Sequence, residues 1–472
     1  MAMAFTGHTT HLTTQFDIQK SITRNSGKSA VPTIRNLQPV AIAFTISTLS
    51  AAAILTYFAI ENGKQRSSSH DRESALAAAG RAGLPTRLDT FRTIPIPGED
   101  AALLLVEFRK RYEAANAFRE SPPVKTANDP SNVSRKRSRL SVQARRSSPE
   151  LDELADRILT KTQLAHNPNP EQGHEQRIPA VTAIKPFHRW LQLRVRSHIA
   201  QGEINEALDL MERHGRWLGQ IFQTPSLAMA STSARQRRTF YPLLLSIISS
   251  GPLTAEQWTK VEAVLARYQT QFSVKAGFHA DFALSIAQAQ LIDADYSRIY
   301  TFQADDPTAK QTRMSALDTP AKRDANFAFY FRYATRVWEV LKRENITIQD
   351  KINEMVRLDR ELLNDKGSEA TVAIAWHIPL GTPLESEATA KRYERAVTAV
   401  AKIVKRHGFQ GPFPDSLASP GPELGPDPFT GKPFQYARTN TGFRIGAASL
   451  PSENQRRPET PFVVEYPGKL RG

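Results

Sequence analysis

The sequence contains no cysteine. That absence excludes disulfides, thiolate nucleophiles, thiolate-held iron–sulfur clusters and cysteine-based zinc sites, and it leaves the redox compartment unmarked. Catalytic signatures are equally scarce. His174, His188, His198, His214, His279, His377 and His407 are scattered, with no His-Glu-x-x-His or comparable metal pair among them. Trp376-His377 lies in an apolar segment, where a hydrogen-bonded core histidine is expected rather than a ligand. No glycine-rich phosphate loop, nucleophile elbow or kinase-like set occurs. The acidic pairs Glu203 with Asp209 and Asp305 with Asp306 have no partner that the sequence identifies. These absences argue against an enzyme and give no reason to expect a cofactor or a metal. A hydrolase would need a site dispersed along the chain.

Charge is missing from one stretch. Between Arg35 and Glu61 lie 25 residues without a formal charge, and Pro39 to Ile60 is apolar or small apart from Thr45, Ser47, Thr48, Ser50 and Thr56. As a helix this run rises about 33 Å, close to the roughly 30 Å hydrocarbon thickness of a bilayer. A cleaved signal would have a shorter apolar region close behind a brief basic start. A buried soluble helix would carry a polar face at a 3.6-residue period, and none interrupts this run. Tyr57 and Phe58 suit the membrane interface. The expectation is therefore one transmembrane helix at 39–60. Lys20, Arg24, Lys28 and Arg35 outnumber Lys64, Arg66 and Arg72, which favours a cytoplasmic tail at 1–38. The rest of the chain is then expected outside, at a cell (inner) membrane.

With 472 residues, 40% of them hydrophobic, the chain can hold two or three domains with a proper core. Its net charge of +15 is uneven, and residues 121–150 carry 7 basic and 2 acidic groups. Paired prolines, many serines and few apolar residues predict a disordered linker there, because so little burial cannot offset chain entropy. Within it Arg135, Lys136, Arg137, Arg139, Arg145 and Arg146 are a candidate binding site for an anionic polymer or lipid headgroups, at about 1 kcal/mol per basic residue. No aromatics are interleaved for base stacking, which argues against nucleic acid.

Periodicity predicts a mainly α protein. Residues 61–120 read as a membrane-proximal stalk with helices at Glu73 to Ala82 and Ala101 to Phe118, the latter turning Leu103, Leu104, Phe108 and Tyr112 to one side. Residues 151–408 read as a helical domain. Helices are expected at Arg189 to Ala200, Ile204 to Ile221, Tyr241 to Ser249, Thr254 to Phe272 and His279 to Ile292. Further ones are expected at Ala325 to Arg343, Ile348 to Leu362 and Glu387 to His407. Thr254 with Gln257 forms a capping signature. Phe327, Phe329, Tyr330, Phe331, Tyr333 and Trp338 are assigned to packing. Residues 409–472 are rich in proline and glycine, and strand-like pieces at Pro433 to Arg438 and Gly442 to Gly446 flank Thr439-Asn440-Thr441 as a hairpin.

Three resemblances attach to these residues. The phrase 199-IAQGEINEALDLM-211 resembles a tetratricopeptide hairpin, with Gly202 at the turn and Ala207 allowing close packing. The pattern does not recur one period later. The order "GPFPDSL", "DPFTGKPFQY", "GFRI", behind "GEINEALDLMERHGRWLGQIF" and "GPLTAEQWTKVEAVLARY", resembles uncharacterised bacterial membrane-anchored helical (TPR-like) proteins over roughly 180–450. The terminal order is also similar to the head of type II secretion pseudopilins. The chain departs from these in lacking their processing motif and aspartate-rich calcium loop. The likeness implies a hairpin packed on Glu387 to His407, with Asp427 and Lys432 fixing the turn and Phe434 and Tyr436 in the hairpin. The expected protein is a single-span membrane scaffold whose helices present a surface to a protein partner.

Overall fold

The computed structural model describes residues 38–86, 96, 98–117, 148–164, 179–221, 226–269, 273–294, 315, 317–365, 367–377, 379–416, 425–447, 462–467 and 469–471, and the side chains of 38–54 lie outside this description. The chain divides into two units, Met1–Asn62 and Gly63–Gly472. The larger is mainly helical and closes with a small antiparallel sheet.

Helix α1 runs from Gln38 to Arg81. Its later half belongs to the larger unit, where Ala75 and Ala79 are buried. There Arg72 reaches Asp293 at 2.6 Å and Asp324 at 2.9 Å. Its guanidinium also lies 4.7 Å from the Phe327 ring centroid. Helix α2 (Ala102–Ala117), which the sequence placed in a stalk, packs on α3 (Pro149–Leu159) and α4 (Pro179–Gln201). Leu105 and Phe108 face inward there, whereas Leu103 is 82% exposed. The expected apolar side is thus shifted: Leu105, not Leu103, joins Phe108 in the core, because residues three apart share a helix face.

Helices α4 and α5 (Ile204–Ile221) pack together across Gly202, which has a positive φ of 76°. Next come α6 (Leu227–Ile248), α7 (Ala255–Tyr268) and α8 (Val274–Ala294). Helices α9 (Pro320–Lys342) and α10 (Ile348–Asn364), the short α11 (Thr371–Ala375) and the long α12 (Gly381–His407) follow. The capping box of Thr254 and Gln257 opens α7. A second, Thr347 with Asp350, opens α10. Helices α4 and α6 run through Pro186 and Pro242, where the sequence reading started its helices late. Their tertiary burial outweighs the local cost of proline.

Among the described residues two large apolar cores result, with Ala283 and Leu284 in a small third cluster. The first gathers α2 to α7, the end of α12 and the sheet; the second gathers the end of α1, α8 to α11 and the start of α12. Helices α6 and α12 pack extensively on each other and belong to both: Leu227 and Leu384 lie in the second core, Phe240 and Val400 in the first. Packing of α6 on a helix about 150 residues later is not the neighbour-on-neighbour order of a regular solenoid.

The sheet is a meander of β1 (Gln435–Arg438), β2 (Phe443–Gly446), β3 (Val463–Tyr466) and β4 (Lys469–Arg471), each antiparallel to the next. The hairpin of β1 and β2 is the expected one; β3 and β4 extend it from a tail in which no strand was expected. Phe434 and Tyr436 pack against the first core, and the Tyr436 hydroxyl donates to the Pro414 carbonyl at 2.8 Å. Asp427, 1% exposed, takes two hydrogen bonds from Arg392 of α12, at 2.6 and 2.7 Å. It also accepts from the Thr430 amide and hydroxyl, while its own amide donates to the Lys432 carbonyl. The Lys432 side chain is exposed, so at that position the turn is closed by backbone.

Arg392 stacks 4.3 Å from the Phe429 ring centroid, so the pair is enclosed by aromatic surface and tied to α12. Removing one partner leaves a buried charge. Asp427→Ala is expected to cost about 3–5 kcal/mol in chemical denaturation, and Lys432→Ala less than about 0.5 kcal/mol. Equal effects would contradict this division of roles.

Candidate functional site

The basic residues Arg135, Lys136, Arg137, Arg139, Arg145 and Arg146 lie outside the described residues, as do His174, Asp305 and Asp306. Glu203 and Asp209 do not act as a pair: Glu203 meets His198 at 2.7 Å and Asp209 meets Lys260 at 2.8 Å. Among the described residues no group of three metal-capable side chains converges.

Two polar constellations form from residues distant in sequence. The first is deep in the first core. His214 Nδ1 lies 2.5 Å from the Tyr268 hydroxyl and His214 Nε2 lies 2.8 Å from His188 Nδ1. The Tyr241 hydroxyl donates to the Tyr268 carbonyl at 2.9 Å. A chain in which Tyr268 donates to His214, and His214 to His188, uses each proton once. Both histidines are at most 1% exposed, and burial holds His188 well below the ordinary range and His214 at about 3. The buried Arg237 charge pushes His214 in the same direction. Closed to solvent, this cluster is a neutral polar core.

The second constellation borders a cleft in the second core, lined by Phe278, Asp281 and Phe282 of α8, Tyr330 and Tyr333 of α9, and Trp376 and His377 after α11. Its enclosed volume is about 20 Å³, room for a group the size of a water molecule. Helix α8 reaches this place because Gly277 permits close approach: a Cβ there would lie 2.7 Å from the Ser226 carbonyl carbon. That contact brings the Leu227 amide, at the start of α6, to 3.2 Å from Asp281 Oδ2. Asp281 therefore closes the start of a helix not its own.

On the opposite wall Asp359 of α10 accepts from His377 Nε2 at 2.8 Å and from the Tyr333 hydroxyl at 3.2 Å. The Tyr330 hydroxyl meets Ser285 Oγ at 2.7 Å. Burial raises both tyrosines, and neighbouring Asp359 raises Tyr333 further. His377 is thus hydrogen-bonded, as its apolar setting suggested, yet it also lines a cleft. Tyr330 and Tyr333 do more than pack.

Burial pushes the Asp281 carboxyl up to about 7, against the lowering effect of the Leu227 amide. The described residues give it no ion pair. A signal for it does exist in the sequence: Phe278, Asp281, Phe282 and Ser285 share one face of α8, so a single carboxylate stands beside two aromatic residues on that face. No protein-family model, curated protein or solved structure matches the chain.

Stability should respond to both constellations, with opposite signs. The histidines have lowered folded pKa values, so their contribution is full above about 6.5 and is lost as pH falls from there toward about 3. Replacing His214 with Phe should flatten that acid-side slope in a plot of Tm against pH; an unchanged slope would exclude the pair as its source. Asp281 has a raised folded value, so its cost is absent below about 3.8, grows with pH and is complete above about 7. Asp281→Asn should accordingly stabilise the protein at pH 8, by on the order of 2–4 kcal/mol, and have little effect near pH 4. Destabilisation at pH 8 would show that the helix-closing role of the carboxylate dominates.

Proposed function

We propose that the chain is a single-span membrane scaffold whose helical body presents a protein-binding surface outside the cytoplasm. The observation that carries this reading is the exposure of α1 ahead of its docked half. Leu55, Tyr57, Phe58 and Ile60 are 52–69% exposed, and at 100° per residue they point to all sides of the helix. An apolar helix uncovered all round calls for an apolar solvent. These four residues end the uncharged run 39–60, whose length matches a bilayer. Among the described residues no helix is long and apolar enough to cross a membrane, and the earlier part of the run lies outside the side-chain description.

The body suits a scaffold. Its helices are joined by long-range side-chain bonds, and the α4–α5 pair carries the likeness to tetratricopeptide hairpins, whose packed helices bind other proteins. The excess of basic residues before the run supports a cytoplasmic tail.

The test is topology, and the absence of native cysteine makes it direct. Ser26→Cys and Ser141→Cys each supply one thiol for an impermeant maleimide in intact cells. Labelling at 141 and not at 26 is expected, as is release of the chain from membranes when 39–60 is deleted. Labelling at 26 alone would reverse the orientation, and retention without 39–60 would refute the anchor.

A further inference from the structure

We propose that the cleft beside Asp281 binds a small organic ammonium ion, with the carboxylate as its counter-charge and the surrounding rings as its walls. This site is independent of the scaffold reading. The cleft is lined by the Asp281 carboxyl, by the aromatic side chains of Phe278, Phe282, Tyr330, Tyr333 and Trp376 and by aliphatic groups such as Leu227 and Leu380, and no lysine or arginine lines it. Asp281 Oδ2 is engaged by the Leu227 amide, whereas no described group donates to Oδ1.

The composition of the walls selects the ligand class. Aromatic faces are electronegative and attract weakly hydrated cations. A hard metal cation needs six or more oxygen ligands, which this cleft does not offer. An anion would meet a like charge, and a neutral apolar guest would leave a desolvated carboxylate uncompensated. A volume of about 20 Å³ fits an ammonium head, whose N–H groups can donate to Oδ1 as a quaternary head cannot, and the organic part extends toward the opening. The Tyr330 and Trp376 rings meet edge to face, with centroids 5.0 Å apart, and so make one packed wall of the cleft.

The other titratable groups at the cleft are Tyr330, Tyr333 and His377, with Asp359 behind the last two. Asp359 is already shared by His377 and Tyr333, so Asp281 is the carboxylate left to face a bound cation. A bound ammonium would favour the ionised form of Asp281. The same carboxylate whose burial costs stability is the one that a cation would stabilise.

Ethylammonium chloride titrated into the full chain in mild detergent tests this, with sodium chloride at equal ionic strength, propionate and tetramethylammonium as controls. At pH 8.5 ethylammonium should raise Tm saturably and the controls should not. Asp281→Asn, checked for an unchanged circular dichroism spectrum, should weaken binding at least about tenfold, the loss expected for a hydrogen bond to a charged group. Phe278→Ala, which keeps the charge, should weaken it severalfold. Wild-type affinity should fall at pH 5.5, where Asp281 is protonated. No saturable effect at pH 8.5, an equal effect in Asp281→Asn, or equal binding of tetramethylammonium would each overturn the proposal.

Discussion

The ends of its helices constrain this protein more than any other feature. Every α-helix leaves several amides and carbonyls without intrahelical partners, and a body with so many helices must satisfy them. Some ends are closed locally, as by Thr254 and Thr347. Others are closed by side chains far away in sequence. Glu387 of α12 accepts from the Val274 amide at the start of α8 at 2.8 Å. Asp281 of α8 does the same for α6, and Asn326 of α9 for the Val372 amide of α11. At the carbonyl end of α1, Trp338 and Lys342 of α9 both donate to Ala82.

These bonds tie together the elements that build the second core. Helices α6 and α12 contribute to both cores, and the starts of both carry such a bond, Leu227 to Asp281 and Glu387 to Val274. A buried acid at a helix start is favoured by the dipole and opposed by desolvation. Glu387 meets the balance with Lys391 beside it at 2.8 Å. Asp281 has only an amide, and burial raises its protonation range. The cleft exists where this closing device is left without a counter-charge.

The carboxyl-terminal module follows the same logic in a different form. Asp427 organises its own turn through Thr430 and Lys432, then spends its remaining acceptors on Arg392 of α12. A turn and a helix are thereby locked by one carboxylate. The sheet covers the end of α12, with Phe413, Phe443 and Tyr466 in mutual ring contact.

What the sequence determined by itself is what depends on near neighbours. Apolar stripes placed most of the helices, threonine with a partner three residues on marked a cap, and the "DPFTGKPFQY" stretch marked a turn and hairpin. The uncharged run at 39–60 is likewise a property of consecutive residues. Tertiary structure alone decided which side of α2 is buried, that proline could be tolerated within α4 and α6, and that the tail returns as β3 and β4. It alone brought His188 to His214, Arg392 to Asp427, and Asp281, Tyr333 and His377 around one cleft. The reason is physical: periodicity and capping are set within a turn or two of chain, whereas burial, counter-charge and closure of a distant helix end depend on which elements meet.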